Sequence, residues 1–359
     1  MERFLKEENV TSNGYDMNST ELPPLADDVV RVAVPLAFAI IFFVGLIGNG
    51  TLVYIVFKNK QMHTKPNVLI VSLAVGDFLL ILFSVPFTSA YYVLHEWCLG
   101  TVVCKLDEFM QTVSLGVSVF TLVALSADRF LAIVYPFTAY CSVTMTKVRA
   151  VALSIWIVAV LMGLMDLVGS DVRPCCTSKI NVCDPYPEEW GDRYKEFRKM
   201  FRFIVYFMVP VIVITTLYSL IAVVLLRKPQ TGNQVNAGKD SISTSLFQRI
   251  EARKRVAKIV LSFVVIFVVC WLPRHVYVVW TLYVEPHFNE AWQVFKIVGF
   301  CLCFIYSSVN PFILYCMNED FRLYFRSYLF GCCNPKWRRQ PEVSRINSAT
   351  NSAARYSAV

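Results

Sequence analysis

The chain has 359 residues, of which 56% are hydrophobic and only 17% are charged. This balance is too apolar for an ordinary soluble protein of this length, and it favours a membrane protein. The formal net charge of +8 is concentrated in segments expected on the cytoplasmic side of a membrane, so it does not indicate nucleic-acid binding.

Apolar blocks follow one another along the chain, each near or above the roughly 20 residues that a helix needs to cross a bilayer. In chain order they are Val29–Phe57, Val68–Leu94, Val102–Tyr135, Val148–Val168, Phe201–Leu226, Val256–Tyr283 and Trp292–Met317. Short polar joints between them argue against a large soluble helical domain. The sequence therefore predicts an all-α membrane protein, with a seven-transmembrane helix bundle over residues 29–317.

Lysine and arginine are concentrated in alternate loops between the predicted spans. This asymmetry indicates which loops are cytoplasmic and therefore how the spans are oriented. The joint after the first block contains Lys58, Lys60 and Lys65, whereas "HEWCLGT" after the second block has neither residue type. The joint after the fifth block is long and basic. We therefore expect a multi-pass plasma-membrane protein with its C-terminus in the cytoplasm and its N-terminus outside.

The polar N-terminal segment, residues 1–28, is expected to be an extracellular tail without a signal peptide. Two glycosylation sequons lie in it, at Asn9 and Asn18. A third match, at Asn49, falls inside the first span and is expected to be unused.

Every predicted span contains at least one notable polar, proline or aromatic residue. Taken singly, each can be explained by side-chain packing, a helix kink or a contact between helices. Such marks in all seven spans, in order, indicate function, because polar groups inside a membrane are costly. They are Asn49, Asp77, Asp128 with Arg129, Trp156, Pro210 with Tyr218, Cys270-Trp271-Leu272-Pro273, and Asn310-Pro311 with Tyr315.

Asp128 and Arg129 stand side by side at the cytoplasmic end of the third span. A salt bridge between them can hold Arg129 in a resting state, and a buried pair that is costly to leave half-made suits a two-state switch. The alternative is that Arg129 reaches the lipid headgroups, which does not require an adjacent acid.

The motifs "GNGTLV", "SLAVGD", "SADRF", "CWLP" and "NPFILY", with Trp156 and the Pro210–Tyr218 pair, resemble the rhodopsin-like class of G-protein-coupled receptors from about Val29 to Cys333. The stretches "SLGVSVFTLVALSADR", "RKRVAKIVLSFVVIFVVCWLPRHVY" and "NVCDPYP" are similar to the bombesin-type neuropeptide receptors, especially their invertebrate CCHamide-receptor branch. The resemblance implies a receptor for a secreted, amidated peptide that activates a heterotrimeric G protein, Gq with calcium release. The alternative within the class is another peptide or a small ligand.

The resemblance also implies which residues transmit activation. The G-protein switch comprises Asp128, Arg129, Tyr218 and Tyr315. The core trigger comprises Phe267, Trp271 and Pro273, beside Pro210 and Val119. Phe130 stands where the family usually has Tyr, and this leaves the charge pair intact.

An allosteric sodium ion is implied at Asp77, with Ser118, Trp271, Ser307 and Asn310 around it. An unpaired buried carboxylate prefers to be neutral, so either sodium or a proton is expected there. This chain has Tyr306 four residues before Asn310, where the family often has Asn, which leaves sodium binding open.

Five of the 12 cysteines fall in predicted extracellular segments, where disulfides form. By resemblance, Cys104 at the start of the third span pairs with Cys183 of "CDPYP". Cys98, Cys175 and Cys176 remain, an odd number. A second bridge from Cys98 to Cys175 or Cys176, or a free thiol, stays open.

An amphipathic eighth helix is predicted over residues 318–331, lying on membrane lipids. Its apolar face is assigned to Phe321, Phe325, Tyr328 and Leu329. Cys332 and Cys333 follow it, a position that suits palmitoylation, with two idle thiols as the alternative.

The cytoplasmic tail over residues 332–359 is rich in Ser, Asn and Arg. Its hydroxyl groups at Ser344, Ser348, Thr350 and Ser352 are candidate phosphate acceptors for arrestin recruitment. The end, Ser357-Ala358-Val359, matches the pattern bound by PDZ domains, although so short a pattern also occurs by chance.

Polar residues at the outer ends of spans three, five and six are the candidate ligand contacts. They are Glu108, Gln111, Arg202, Arg274 and His275. One interpretation is that Arg274, His275 and Gln111 grip the amidated end of a peptide. The other is that Arg274 and Glu108 form a structural pair, and both stay open.

Other classes of protein fit less well. A transporter would show inverted repeats or paired broken helices, and the sequence has neither. An enzyme is not expected, since no nucleophile–base or metal-ligand spacing is present. Phe304 stands where an opsin has its retinal lysine, and Gln111 where an amine receptor has its Asp.

Overall fold

The computed structural model describes residues 24–94, 96–135, 143–174, 181–186, 188–227, 240–283 and 290–330. The helices in these ranges are α1 (Pro24–Lys58), α2 (Lys65–Leu94), α3 (Gly100–Val134), α4 (Met145–Gly169), α6 (Asp240–Tyr283), α7 (Glu290–Met317) and α8 (Glu319–Phe330). Helix α5 consists of Asp192–Phe203, a π-helical segment Ile204–Met208, and Val209–Arg227. Short 3₁₀ turns lie at Lys60–Met62 and Glu188–Trp190.

Seven helices in the described part of the chain, α1 to α7, are long and apolar enough to cross a membrane. Large apolar side chains such as Leu36, Phe43 and Leu161 are more than half exposed on their outer faces. Outward apolar groups suit a surface that meets lipid rather than water. The prediction of a seven-helix membrane bundle is therefore confirmed.

Two helices extend beyond the apolar blocks that predicted them. Helix α5 begins at Asp192, more than two turns before Phe201, because "DRYKEFRKMF" is a strongly amphipathic stretch rather than an apolar one. Helix α6 begins at Asp240, so the basic joint predicted between spans five and six is partly helical.

The interior of the bundle is filled by aromatic and branched side chains, among them Tyr206, Phe263 and Leu122, all essentially inaccessible. Helices α3 and α4 approach closely where Gly116 faces Ala159. A Cβ atom at Gly116 would lie only 3.0 Å from the Cβ of Ala159, so a small residue is needed there.

An antiparallel hairpin of β1 (Asp171–Pro174) and β2 (Asn181–Asp184) lies against one end of the bundle. The predicted disulfide between Cys104 and Cys183 is confirmed and ties β2 to α3, with Cα atoms 5.6 Å apart. Beside it, hydrogen bonds from the Val172 N–H and the Thr101 hydroxyl hold the pKa of Asp171 below its usual value.

Helix α8 packs against α1 and α7. Its first turn is capped by Asn318, whose Oδ1 accepts hydrogen bonds from the N–H groups of Asp320 (3.0 Å) and Phe321 (3.3 Å). The buried face comprises Phe321, Tyr324 and Phe325, with Tyr328 half-buried. Leu329, which the sequence assigned to this face, is exposed, and Tyr324 takes a buried position instead.

Candidate functional site

A cavity of about 310 Å³ opens at the disulfide end of the bundle, between α3, α5, α6, α7 and the residues around β2. The five candidate ligand contacts predicted from the sequence all line it: Glu108, Gln111, Arg202, Arg274 and His275. Trp271 lines it as well, so the cavity meets the predicted core trigger. The structure thus brings these six positions together.

The charges on the α3–α5 side of the cavity are mutually engaged. The Nη2 of Arg202 donates to the Thr112 hydroxyl (2.6 Å), and its Nη1 lies 3.9 Å from Glu108 Oε2. Gln111 Nε2 donates to Asp107 Oδ2 (3.0 Å). This wall is a polar network with internal partners, as half-buried charges require.

Arg274 makes no hydrogen bond or ion pair to that network among the described residues. The Cζ atom of its guanidinium lies 5.0 Å from the centre of the Phe300 ring, in a cation–π arrangement. Within the described residues no carboxylate lies within 4.0 Å of it. The structural pair between Arg274 and Glu108, left open by the sequence, is therefore wrong: Arg202 is closer along the cavity wall and takes Glu108.

His275 sits in an aromatic box at the side of the cavity. Its ring centre lies 4.7 Å from that of Phe207, 5.6 Å from Phe203 and 6.0 Å from Trp271. Its Nε2 is buried and has no hydrogen-bond partner in the described part of the chain. A ring nitrogen left unpaired in this way is available to a ligand group.

The predicted core trigger is a stack of rings beneath the cavity. Phe267 is buried, and its ring centre lies 6.1 Å from Trp271, 6.0 Å from Phe207 and 5.5 Å from Tyr306. Pro273 lies within α6, six residues after Phe267. A ligand that moved Trp271 would therefore press on packed rings next to a proline, where a helix bends most readily.

Asp77 is completely buried on α2 in the middle of the bundle. Its Oδ1 accepts a hydrogen bond from the Ser118 hydroxyl (3.2 Å), and its Oδ2 accepts one from Asn310 Nδ2 (2.5 Å). The hydroxyl of Ser307 is buried and also acts on Asp77. The indole N–H of Trp271 has no hydrogen-bond partner among the described residues.

Asn49, the third sequon match, is also fully buried in this region. Its Nδ2 donates to the carbonyl oxygens of Ser307 (2.9 Å) and Gly45 (3.0 Å). The contact with Ser307 joins α1 to α7, so Asn49 acts as a structural link between helices.

At the opposite end, Arg129 is buried and its Nε donates to Asp128 Oδ2 (3.0 Å), with Nη2 against the same oxygen. Tyr218 on α5 donates its hydroxyl to the carbonyl oxygen of Ala257 on α6 (2.9 Å). The Tyr218 contact joins the ends of α5 and α6, while Arg129 stays folded onto Asp128 within α3. This geometry matches the closed form of the switch that the resemblance implies, and the switch role of these residues stays a prediction.

Tyr315, the last predicted switch residue, contacts α8. Arg326 donates its Nε to the Tyr315 hydroxyl (3.0 Å), and its guanidinium lies 5.7 Å from the ring centre. The Phe325 ring meets Tyr315 edge-on at 6.4 Å. Arg326 was not predicted, because a residue on a surface helix carries no sequence signal for an inward contact.

Other charged residues of the site were also missed from the sequence. Asp107 is buried beside Gln111, and Asp166 on α4 pairs with Arg198 on α5. A lone acid in the apolar stretch "LMDLVGS" was a usable signal for Asp166. Arg198 gave none, because the stretch around it reads as a polar joint.

A family model, described as the 7 transmembrane receptor (rhodopsin family), matches residues 48–314. The chain belongs to this family, and it is a G-protein-coupled receptor and not an enzyme.

Among its relatives, the neuropeptide CCHamide-1 receptor of Drosophila melanogaster is 38% identical over 366 residues, which is 96% of this chain and 71% of that protein. A bombesin receptor of Bombina orientalis is 36% identical over 334 residues, which is 90% of this chain and 81% of that protein. The resemblance to bombesin-type and CCHamide receptors predicted from motifs is confirmed.

Several predicted positions lie outside the described residues. They are Asn9, Asn18, Cys175, Cys176, Cys332, Cys333, the tail hydroxyl groups and Ser357–Val359. Glycosylation, palmitoylation, arrestin recruitment and PDZ binding stay predictions, and the pairing of Cys98, Cys175 and Cys176 stays open.

Proposed function

We propose that this receptor binds a secreted neuropeptide with an amidated C-terminus in the cavity and activates a heterotrimeric G protein of the Gq class, which releases calcium. The observation that carries the proposal is that Arg274 and His275 face the cavity without internal hydrogen-bond partners in the described residues. Both line the cavity with hydrogen-bonding groups that have no carboxylate or hydrogen-bond partner in the described residues. A carboxamide end offers a carbonyl oxygen and N–H groups to match them.

The printed names of the two relatives support a peptide ligand, since one is a receptor for the neuropeptide CCHamide-1 and the other for bombesin. The cavity is of a size that suits the end of a peptide rather than all of it. The rest of the peptide would then lie against the hairpin and the acidic outer segments.

The proposal includes an orientation in the plasma membrane. The hairpin and disulfide belong outside the cell, where oxidation is favoured, and the basic joint Lys58–Lys65 belongs inside. Agonist binding would then be read out at the closed switch of Arg129 and Tyr218.

Calcium imaging of transfected cells against a panel of amidated peptides tests the proposal. Each peptide is paired with its free-acid form, and each is applied to cells with and without Gq-class subunits. A response to an amidated peptide that disappears in Gq-deficient cells supports the whole proposal. Equal potency of the free acid would reject the amide, and a response that persists without Gq would reject the subtype.

A further inference from the structure

The surroundings of Asp77 allow a test of whether this chain fits the sodium ion that its family resemblance implies. A hard cation is held by several oxygen atoms that direct lone pairs at it. The groups facing Asp77 should therefore present oxygen atoms, and the carboxylate itself should be accessible to the ion.

Both carboxylate oxygens of Asp77 are already engaged by the protein. Ser118 donates to Oδ1 at 3.2 Å, and the amide nitrogen of Asn310 donates to Oδ2 at 2.5 Å. The Asn310 contact turns the positive end of an N–H group toward the carboxylate. A cation bound to Oδ2 would lie close to this N–H group, whose positive end repels it.

Tyr306 lies one turn before Asn310 on α7 and occupies the position where a carboxamide would have supplied a carbonyl ligand. Its side chain is 1% exposed, and its ring packs edge-on against Phe267 with centres 5.5 Å apart. Packing of this kind fixes a ring in place, because close-packed cores tolerate little displacement. Tyr306 thus places a tightly packed ring, with a buried hydroxyl that has no hydrogen-bond partner among the described residues, where a carboxamide would have reached toward Asp77.

We infer that Tyr306 closes the cation site at Asp77, so that this receptor is stabilised and regulated without sodium. Asp77 is instead satisfied inside the protein, by Ser118 and Asn310. The inference holds whichever peptide the receptor binds, since it concerns the unliganded bundle.

The test measures the melting temperature of the purified full-length receptor, without agonist, in sodium, potassium or choline chloride at about 150 mM. An ion that binds only the folded state raises its stability by mass action. The wild type should melt at the same temperature in all three salts. Tyr306→Asn should gain a sodium-specific rise of about 2–4 °C, and adding Asp77→Asn should remove that gain.

Tyr306→Phe is the matched control and should stay insensitive to sodium, since it keeps the ring and adds no oxygen ligand for a cation. A wild type that melts higher in sodium than in potassium, with the difference lost in Asp77→Asn, would overturn the inference. A folded Tyr306→Asn receptor without a sodium effect would overturn the role of Tyr306.

Should that variant not fold, Tyr306→Gln replaces it, and basal nucleotide exchange on the G protein in wild-type membranes gives a second readout. Slower exchange in sodium than in potassium would contradict the inference, and equal rates would support it.

Discussion

Arg198 donates to the carboxylate of Asp166 across 2.6 Å, and the two side chains are 3% and 1% exposed. The pair joins α4 to the outer part of α5, one turn from Arg202 in the cavity wall. The second oxygen of Asp166 has no partner among the described residues. The wall that presents Arg202 to the cavity therefore depends on an ion pair taken out of solvent.

Breaking this pair from one side should cost more than removing it altogether. Asp166→Leu leaves Arg198 buried without a counter-charge, so we expect it to lower the free energy of unfolding by about 3–5 kcal/mol. The double variant Asp166→Leu with Arg198→Met should recover most of the loss. Thermal unfolding in detergent micelles measures both, and a double variant as unstable as the single one would contradict the prediction.

The matched control is the exposed pair between Arg255 and Glu319, whose side chains are 61% and 66% exposed and whose charged atoms lie 3.8 Å apart. Solvent screens such a pair, so Glu319→Gln should change stability by less than about 1 kcal/mol.

The disulfide between Cys104 and Cys183 should be required for surface expression and agonist binding. It fixes β2 over the cavity, and loss of a native disulfide typically costs about 2–5 kcal/mol. Flow cytometry of intact cells should show that Cys104→Ser sharply reduces the surface population. Cys98→Ser is the control, since Cys98 is exposed and without a disulfide partner in the described residues. Equal loss in the two variants would argue against a special role for Cys104.

The membrane architecture could be predicted from the sequence because burial in lipid demands long apolar helices, and such helices are visible as blocks. The amphipathic start of α5 could not, since "DRYKEFRKMF" is rich in charged residues like a polar loop, and the burial of Arg198 depends on its ion pair with Asp166 of α4. The disulfide followed from motif resemblance, not from composition.

The sequence predicted which residues line the candidate site, but not which of them form ion pairs with one another. Glu108, Gln111, Arg202, Arg274 and His275 do line one cavity. Which arginine pairs with Glu108 depends on the tilt and rotation of α5 and α6. The spacing of residues along the sequence does not determine these angles. The sequence therefore left Arg274 open, and the structure assigns Glu108 to Arg202.

Neutralising Asp128 should release the switch at the other end of the bundle. Asp128→Asn removes the charge that holds Arg129 while keeping the shape of the side chain. We expect basal calcium signalling to rise without agonist, because the resting state loses a charge-assisted contact and the equilibrium shifts toward the open one. The control is Asp128→Glu, which keeps the charge and should stay near wild type. Basal signalling in Asp128→Asn at or below the wild-type level, at equal surface expression, would contradict this account of Arg129.

The cavity arginine gives the sharpest test of ligand recognition, because Arg274 stacks on Phe300 and has no carboxylate within ion-pair distance in the described part of the chain. Removing it should leave the fold intact. Arg274→Ala is therefore expected to keep normal surface expression and to reduce the potency of the amidated agonist found by the peptide panel. The expected loss is about 2–3 kcal/mol, the range for a hydrogen bond to a charged group, which is roughly a 30–150-fold shift in potency.

The peptide itself shows whether that loss comes from contact with its end. For a peptide that lacks its last residue, Arg274→Ala should cost much less, since the group that meets the guanidinium is already gone. Arg274→Lys keeps the charge but not the planar donor fork, so it should recover only part of the potency. Glu108→Gln is the control on α3, where Glu108 faces Arg202, and it should not change the difference between the two peptides. Equal losses for the full-length and shortened peptides, or poor expression of Arg274→Ala, would make Arg274 part of the scaffold, and the peptide end would then have to bind elsewhere in the cavity.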